Sequence, residues 1–182
     1  HGALRAATMD EWWTTLHLMS AAPRLGPGGL AVVTDSGGQR AVLLDEVATL
    51  GVPLVEFTAA TRNSLRARLA PELKPENPLD LWGGEADIAG HIEGCLLDAA
   101  NDPGTAVAAI MTEFGVATTD EFANLEAVGT IRARQQAAKP IIAITYSARQ
   151  LFPERTLRLV KAGVPVLDGN ATAMRALKHA FA

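Results

Sequence analysis

Leu30-Ala31-Val32-Val33-Thr34-Asp35-Ser36-Gly37-Gly38, followed by Gln39-Arg40-Ala41-Val42-Leu43-Leu44-Asp45, decides the fold of this 182-residue chain. Four apolar residues in a row read as a buried strand, and the Ser-Gly-Gly turn opens a helical pattern. A helix that starts directly after a strand leaves its first backbone N–H groups unpaired at the carboxyl edge of the sheet. Those donors, together with the helix dipole, favour an anion. Gly37 and Gly38 carry no Cβ, so a phosphate could approach the backbone closely. The plain alternative is a glycine-containing turn that binds nothing, because short motifs of this kind are weakly specific.

Working outward, strands and helices alternate. Towards the amino end, Thr8-Met9-Asp10-Glu11 reads as a capping box. An amphipathic helix then runs through Trp12, Leu16 and Met19 to about residue 21, with one of Trp12 and Trp13 expected to be buried. Glycines 26, 28 and 29 precede the strand, so they do not form a dinucleotide fingerprint, which follows one. Towards the carboxyl end, the helix from Gly38 ends at Gly51. Val52–Phe57 reads as a second strand, and Thr58 or Thr61 caps a helix to about residue 69. Asn77-Pro78-Leu79-Asp80 is extended because the residue before proline avoids the α region. Further helices are expected over about 85–101, 119–138, 150–162 and 171–181, with strands at 106–111, 140–145 and 164–167. Apolar strands without alternation are buried on both faces. The expected architecture is therefore α/β, a doubly wound parallel sheet of flavodoxin-like type in three αβα layers. Residues 1–28 form a helical lead-in and 29–182 the sheet domain. Ligands in such sheets sit outside the carboxyl ends of the strands, which singles out Thr34–Gly38, Asp80–Gly84, Thr112–Thr119 and Tyr146–Arg149.

Composition narrows the function. The formal net charge of −4 gives no electrostatic case for nucleic acid or an acidic membrane surface. No apolar run approaches the roughly 20 residues of a membrane span, and a cytoplasmic location is the expectation. Cys95 is the single cysteine, which excludes an internal disulfide and a cysteine-rich zinc site. His17, His91 and His179 lie on expected helices with no acidic or cysteine partners at metal-ligand spacing, so no metal site is expected. The start at His1 reads as a boundary within something longer.

Thr34-Asp35-Ser36-Gly37-Gly38, Asn77-Pro78-Leu79-Asp80 with Gly83-Gly84, and the Asp102-containing turn come in order, followed by Ala138-Lys139-Pro140-Ile141-Ile142, Ala162-Gly163-Val164-Pro165-Val166 and the Ala171–Leu177 helix. Together these segments resemble the last domain in the α part of NDP-forming (ADP-forming) acyl-CoA synthetases. The likeness covers about residues 2–182 and extends to the CoA-ligase domain of succinyl-CoA synthetase. It implies a flavodoxin-like ligase domain of an enzyme that converts acid, ATP and CoA to acyl-CoA, ADP and phosphate. The phosphohistidine intermediate would be carried on another domain.

On that resemblance, Ser36, Gly37 and Gly38 would bind the phosphoryl group, and Asp80 and Asp45 would support the turn. Asp45 could equally make an interdomain or solvent contact, and Asp80 could simply cap its loop. Trp82, Gly83, Gly84, Glu113, Phe114 and Gly115 would line part of the acyl pocket. The partners would be a CoA-binding domain, an ATP-grasp domain and a small carboxylic acid. ATP, CoA and Mg²⁺ would serve the whole enzyme, with the Mg²⁺ ligands in the ATP-grasp part. The family's Ser-His-Thr-Gly segment is absent from this chain, and His1-Gly2-Ala3-Leu4 lacks its threonine. No catalytic residue is therefore assigned here, and the isolated chain is expected to form no acyl-CoA.

Other classes stay in view. A non-catalytic flavodoxin-like module binding a phosphate-bearing ligand or a partner subunit would have the same turn. A receiver-like phosphorylation domain would need an acidic pair after the first strand and a lysine near the end. Here Asp35 stands alone, and Tyr146-Ser147 take the lysine's place. Flavin binding would want more hydroxyls than Ser36 and Thr34 provide. Ser147 has no base at nucleophile-elbow spacing, and Arg62, Arg66 and Arg68 read as a solvated helix face.

Overall fold

In a computed structural model, the described residues are 3–22, 24–81, 86–113, 121–149, 151 and 153–182. Along the chain run α1 (Met9–Ala21), β1 (Gly29–Thr34), α2 (Gly37–Leu50), α3 (Ala59–Arg66) and β2 (Leu79–Asp80). They are followed by α4 (Ile88–Asn101), β3 (Thr105–Met111), α5 (Glu121–Gln136), β4 (Ile141–Ile144), α6 (Pro153–Lys161), β5 (Val166–Leu167) and α7 (Asn170–Phe181). The five strands are all parallel, in the order β2-β1-β3-β4-β5.

Alternate residues of each central strand face opposite layers. Ala31, Val33, Ala108 and Ile110 pack with Leu65, Ile92, Leu96, Ala127 and Leu159 from α3 to α6. Leu30, Val32, Val107 and Ala109 pack with Leu18, Leu43, Val47, Met174 and Leu177 from α1, α2 and α7. Val32, Ile110 and Ile142 are completely buried. That double coverage is the reason the strand sequences do not alternate, and the expected three-layer flavodoxin-like sheet is the one found.

Local signals hold at several ends. Thr8 Oγ1 accepts from the Glu11 amide at 3.1 Å, although the Glu11 carboxylate reaches Ala7 N–H rather than Thr8. Gly51 closes α2 in the left-handed conformation at φ 71°, which suits glycine. Gly29 is needed for a different reason, since a Cβ there would sit 2.8 Å from the Pro53 carbonyl oxygen. Gly28 and Gly29 thus serve close backbone approach, whereas Gly26 has open space around it.

The expected strand over 52–57 is corrected. Only Leu54 bridges β1, at Leu30. Pro53 has no N–H with which to extend that ladder backwards. Ahead of the bridge, the Asn77 side chain takes the strand's place. Its Oδ1 accepts from Val32 N–H at 2.8 Å, and its Nδ2 donates to the carbonyls of Leu30 and Val55 at 2.8 and 2.9 Å. β1 is then handed to β2 at Val33 and Leu79. An amide side chain can splice two backbone segments because it carries the same donor and acceptor as a peptide group.

The face expected to be buried in α1 is also corrected. Glu11, Thr15 and Leu18 point inward, while Trp12, Trp13 and Leu16 are 44%, 61% and 43% exposed. Neither tryptophan is buried; their rings meet edge to face at 4.9 Å. The cause is tertiary: α1 lies on α7, where the Glu11 carboxylate meets His179 Nε2 at 2.7 Å. His179 therefore has an acidic partner, 168 residues away in sequence. The hydrogen bond from His179 is the main reason the Glu11 carboxyl titrates below its ordinary range, against the opposing effect of burial. The three arginines also do more than face solvent. Arg62 donates to the Phe57 carbonyl at 2.6 Å, Arg66 to the Leu73 carbonyl, and Arg68 pairs with Asp98 at 2.6 Å.

Candidate anion site at the carboxyl edge of the sheet

β1 and β3 are adjacent, and their connections leave in opposite directions, so a crevice opens between their carboxyl ends. Asp35 and Ser36 follow β1, Asp80 ends β2, Thr112 and Glu113 follow β3, and Thr145 and Tyr146 follow β4. Ser36 is the N-cap of α2, with its Oγ accepting from the Gln39 amide at 3.4 Å and its carbonyl from the Arg40 amide at 2.9 Å. The amides of Gly37 and Gly38 donate to no group among the described residues, and both glycines are exposed. Neither has a positive φ, so they are not required by a left-handed turn. What they contribute is access.

Two groups flank those amides. Arg40, in the first turn of α2, is anchored by Nε to the Pro78 carbonyl at 2.7 Å and pairs with Glu76 at 3.4 Å. Asp80, at the end of β2, is the second; a Cβ on Gly37 would come 2.9 Å from its Oδ2. Asp45, two turns along α2, is exposed and distant from the turn in helix register. Glu113 stands half-buried after β3. Trp82, Gly83, Gly84, Phe114 and Gly115 lie outside the described residues.

Asp35 is the member of this edge that spacing alone undervalued. Its carboxylate accepts from the Tyr146 hydroxyl, and its Oδ2 lies 3.4 Å from Thr112 Oγ1. Thr112 is also 2.9 Å from both oxygens of Glu126, a glutamate of α5 that is only 1% exposed. A threonine hydroxyl has one proton to give, so its bond to Asp35 is the weaker one. Thr34 Oγ1 and the Tyr146 hydroxyl are 3.1 Å apart. Burial first, and then the hydrogen bond to Asp35, push the Tyr146 phenol well above its ordinary value. The phenol therefore stays protonated and acts as a donor. The sequence placed Asp35, Thr112 and Tyr146 at strand ends, but only the sheet order brings them together. Among the described residues, no group of three or more His, Cys, Asp or Glu side chains could hold a metal ion, and no helix is long and apolar enough to cross a membrane.

No family model matches the chain. It is 28% identical over 174 residues to the α subunit of acetate–CoA ligase (ADP-forming) II from Pyrococcus furiosus, covering 92% of this chain and 36% of that protein. Its fold is that of the dinucleotide-forming acetyl-coenzyme A synthetase 1 from Ca. Korarchaeum cryptofilum, solved in an apo form (TM-score 0.80, 20% identity, 99% of this chain and 38% of that one). That protein has also been solved in complex with phosphate and ADP, with a TM-score of 0.79. A crystal structure from Pyrococcus horikoshii matches with a TM-score of 0.78 and 23% identity, over 98% of this chain and 41% of that one. The resemblance to NDP-forming acyl-CoA synthetases read from the sequence is thus borne out. The chain spans about a third of the length of the curated relative it matches nearly end to end.

Proposed function

We propose that this chain is the C-terminal flavodoxin-like domain of the α part of an ADP-forming acyl-CoA synthetase, with residues 29–182 as the ligase-type domain and 1–28 as its lead-in. The whole enzyme would convert a small carboxylic acid, ATP and CoA to acyl-CoA, ADP and phosphate, through a phosphohistidine carried on another domain. Within it, the amino end of α2 stabilises the phosphoryl group, with Ser36 setting the cap and Gly37 and Gly38 presenting open amides. Asp80 steadies the turn from one side. The segments around Trp82–Gly84 and Glu113–Gly115 contribute to the acyl pocket. ATP, CoA and Mg²⁺ would be held chiefly by the CoA-binding and ATP-grasp domains.

The observation that carries this reading is the pair of unpartnered amides at the β1–β3 crevice, in a chain aligned over 92% of its length with an acetate–CoA ligase α subunit. Fixed donors at a helix start favour an anion by roughly 0.3–1 kcal/mol when exposed. They need no reorganisation as charge moves during transfer. The test is Gly37→Val in the complete synthetase. The branched side chain covers the amides and presses on Asp80, which can shift. Phosphoryl transfer should fall by about 10²–10³, while nucleotide affinity and folding stay close to wild type. A folded variant with normal turnover overturns the assignment of this turn.

A further inference from the structure

We propose that Tyr146 is a positioning residue for this turn: it holds the Asp35 carboxylate away from the amides of Gly37 and Gly38, and so keeps the amino end of α2 open to an anion. The inference rests on the reading of that turn as a phosphoryl site. Aspartate is among the residues best suited to cap a helix start, and its side chain readily bonds backbone amides two residues on. Asp35 stands two residues before Gly37. The partial positive charge that draws phosphate to α2 would draw this carboxylate as well. A site built next to an aspartate therefore needs something to keep that aspartate out of it.

The structure supplies that restraint. The Asp35 carboxylate is turned towards β3 and β4, where the Tyr146 hydroxyl donates to it and Thr112 lies 3.4 Å from its other oxygen. Thr112 is engaged at shorter range by Glu126, which leaves Tyr146 as the principal holder. Tyr146 is itself fixed at both ends. Its hydroxyl is 3.1 Å from Thr34 Oγ1, and its carbonyl accepts from the Asn170 amide at 3.4 Å where α7 begins. Ser36 then caps α2 with its one hydroxyl, and the first two amides remain for a ligand.

The test follows the amide resonances of Gly37 and Gly38 in the 182-residue chain during titration with inorganic phosphate at constant ionic strength. Y146F frees Asp35 while keeping the ring, and should weaken phosphate binding about two- to fivefold. Y146F/D35A should restore the wild-type affinity or exceed it. If Y146F binds phosphate normally, or if D35A fails to rescue it, Tyr146 has only a structural role and the proposal is overturned. If the wild-type amides show no saturable response to phosphate, the phosphoryl reading of the turn falls instead. The restraint is then judged by a second readout. In Y146F the two amide shifts must follow the titration of the Asp35 carboxyl, and in wild type they must not. Asp80 borders Gly37 in both proteins and Glu126 faces Asp35 through Thr112 in both, so the difference between the two titrations isolates Asp35. Shifts that ignore Asp35 in Y146F sink the proposal whatever phosphate does.

Discussion

The two edges of the sheet treat an aspartate in opposite ways. At the amino edge, Asp102 closes α4 and is 1% exposed. Its carboxylate accepts from the Thr58 amide at 2.8 Å, the Thr58 hydroxyl at 3.0 Å and the Gly104 amide at 2.9 Å, and Lys139 covers its carbonyl at 2.5 Å. Burial alone would raise this carboxyl; hydrogen bonds from Thr61, Thr58 and Gly104 outweigh it and leave the group below its ordinary range. At the carboxyl edge, Asp35 is only half-buried and is bonded by side chains alone, and the backbone donors beside it stay open. On the proposed function, the difference separates scaffold from site. Where every donor and acceptor is matched, the fold is being held; where donors are left facing solvent at a strand end, a ligand can be held.

That contrast can be broken. Its widest separation is between Gly37→Val, which should cost rate without stability, and Asp102→Ala, which should cost stability without touching the Ser36–Gly38 turn. Leaving buried backbone amides unpaired costs about 1–3 kcal/mol each, so Asp102→Ala should lower the unfolding free energy by about 3 kcal/mol in a denaturant titration. An Asp102→Ala protein of wild-type stability would show that the amino edge does not anchor the fold.

A smaller effect is expected on acidification. Glu11 and Asp102 both titrate below their unfolded values. Each therefore contributes stability that is present above the ordinary carboxylate range, about pH 4, and is lost as pH falls through its lowered value. Burial also lowers the His17 imidazole, so the melting temperature should begin to ease below about pH 6.5 and drop further below about pH 4, less steeply in Glu11→Gln. A melting curve unchanged down to pH 3 would show that the α1–α7 clasp adds no stability. The smallest effect should come from Trp13→Ala, at the exposed end of the comparison. A 61% exposed side chain should change stability by within about 0.5 kcal/mol. A much larger loss would mean that α1 is packed more deeply than its exposure indicates.

Much of the fold was legible because its signals are local. Unbroken apolar runs located β1, β3 and β4; Thr8 and Gly51 marked helix ends by their own capping chemistry, and Thr58 was one of two caps expected for α3. The misses share one cause. Val52–Phe57 has strand composition, but the Asn77 amide from more than 20 residues away displaces it from the ladder. In α1, the apolar stripe of Trp12 and Leu16 looked like a core face, yet a glutamate–histidine pair across 168 residues turned it outward. The site divides in the same way. Ser36, Gly37 and Gly38 announce themselves as a turn, whereas the tie of Tyr146 to Asp35 spans 111 residues and has no motif.

The sequence by itself determined the layers, the parallel sheet and the helix start that offers amides to an anion, because periodicity, capping and glycine content act within a few residues of where they are written. Only the tertiary structure decided which face of α1 is buried, how Asn77 completes the edge of the sheet, and which way the Asp35 carboxylate turns. Those outcomes depend on strand order, which sets distant side chains a hydrogen bond apart, and a buried polar group must take whatever partner that order brings within reach.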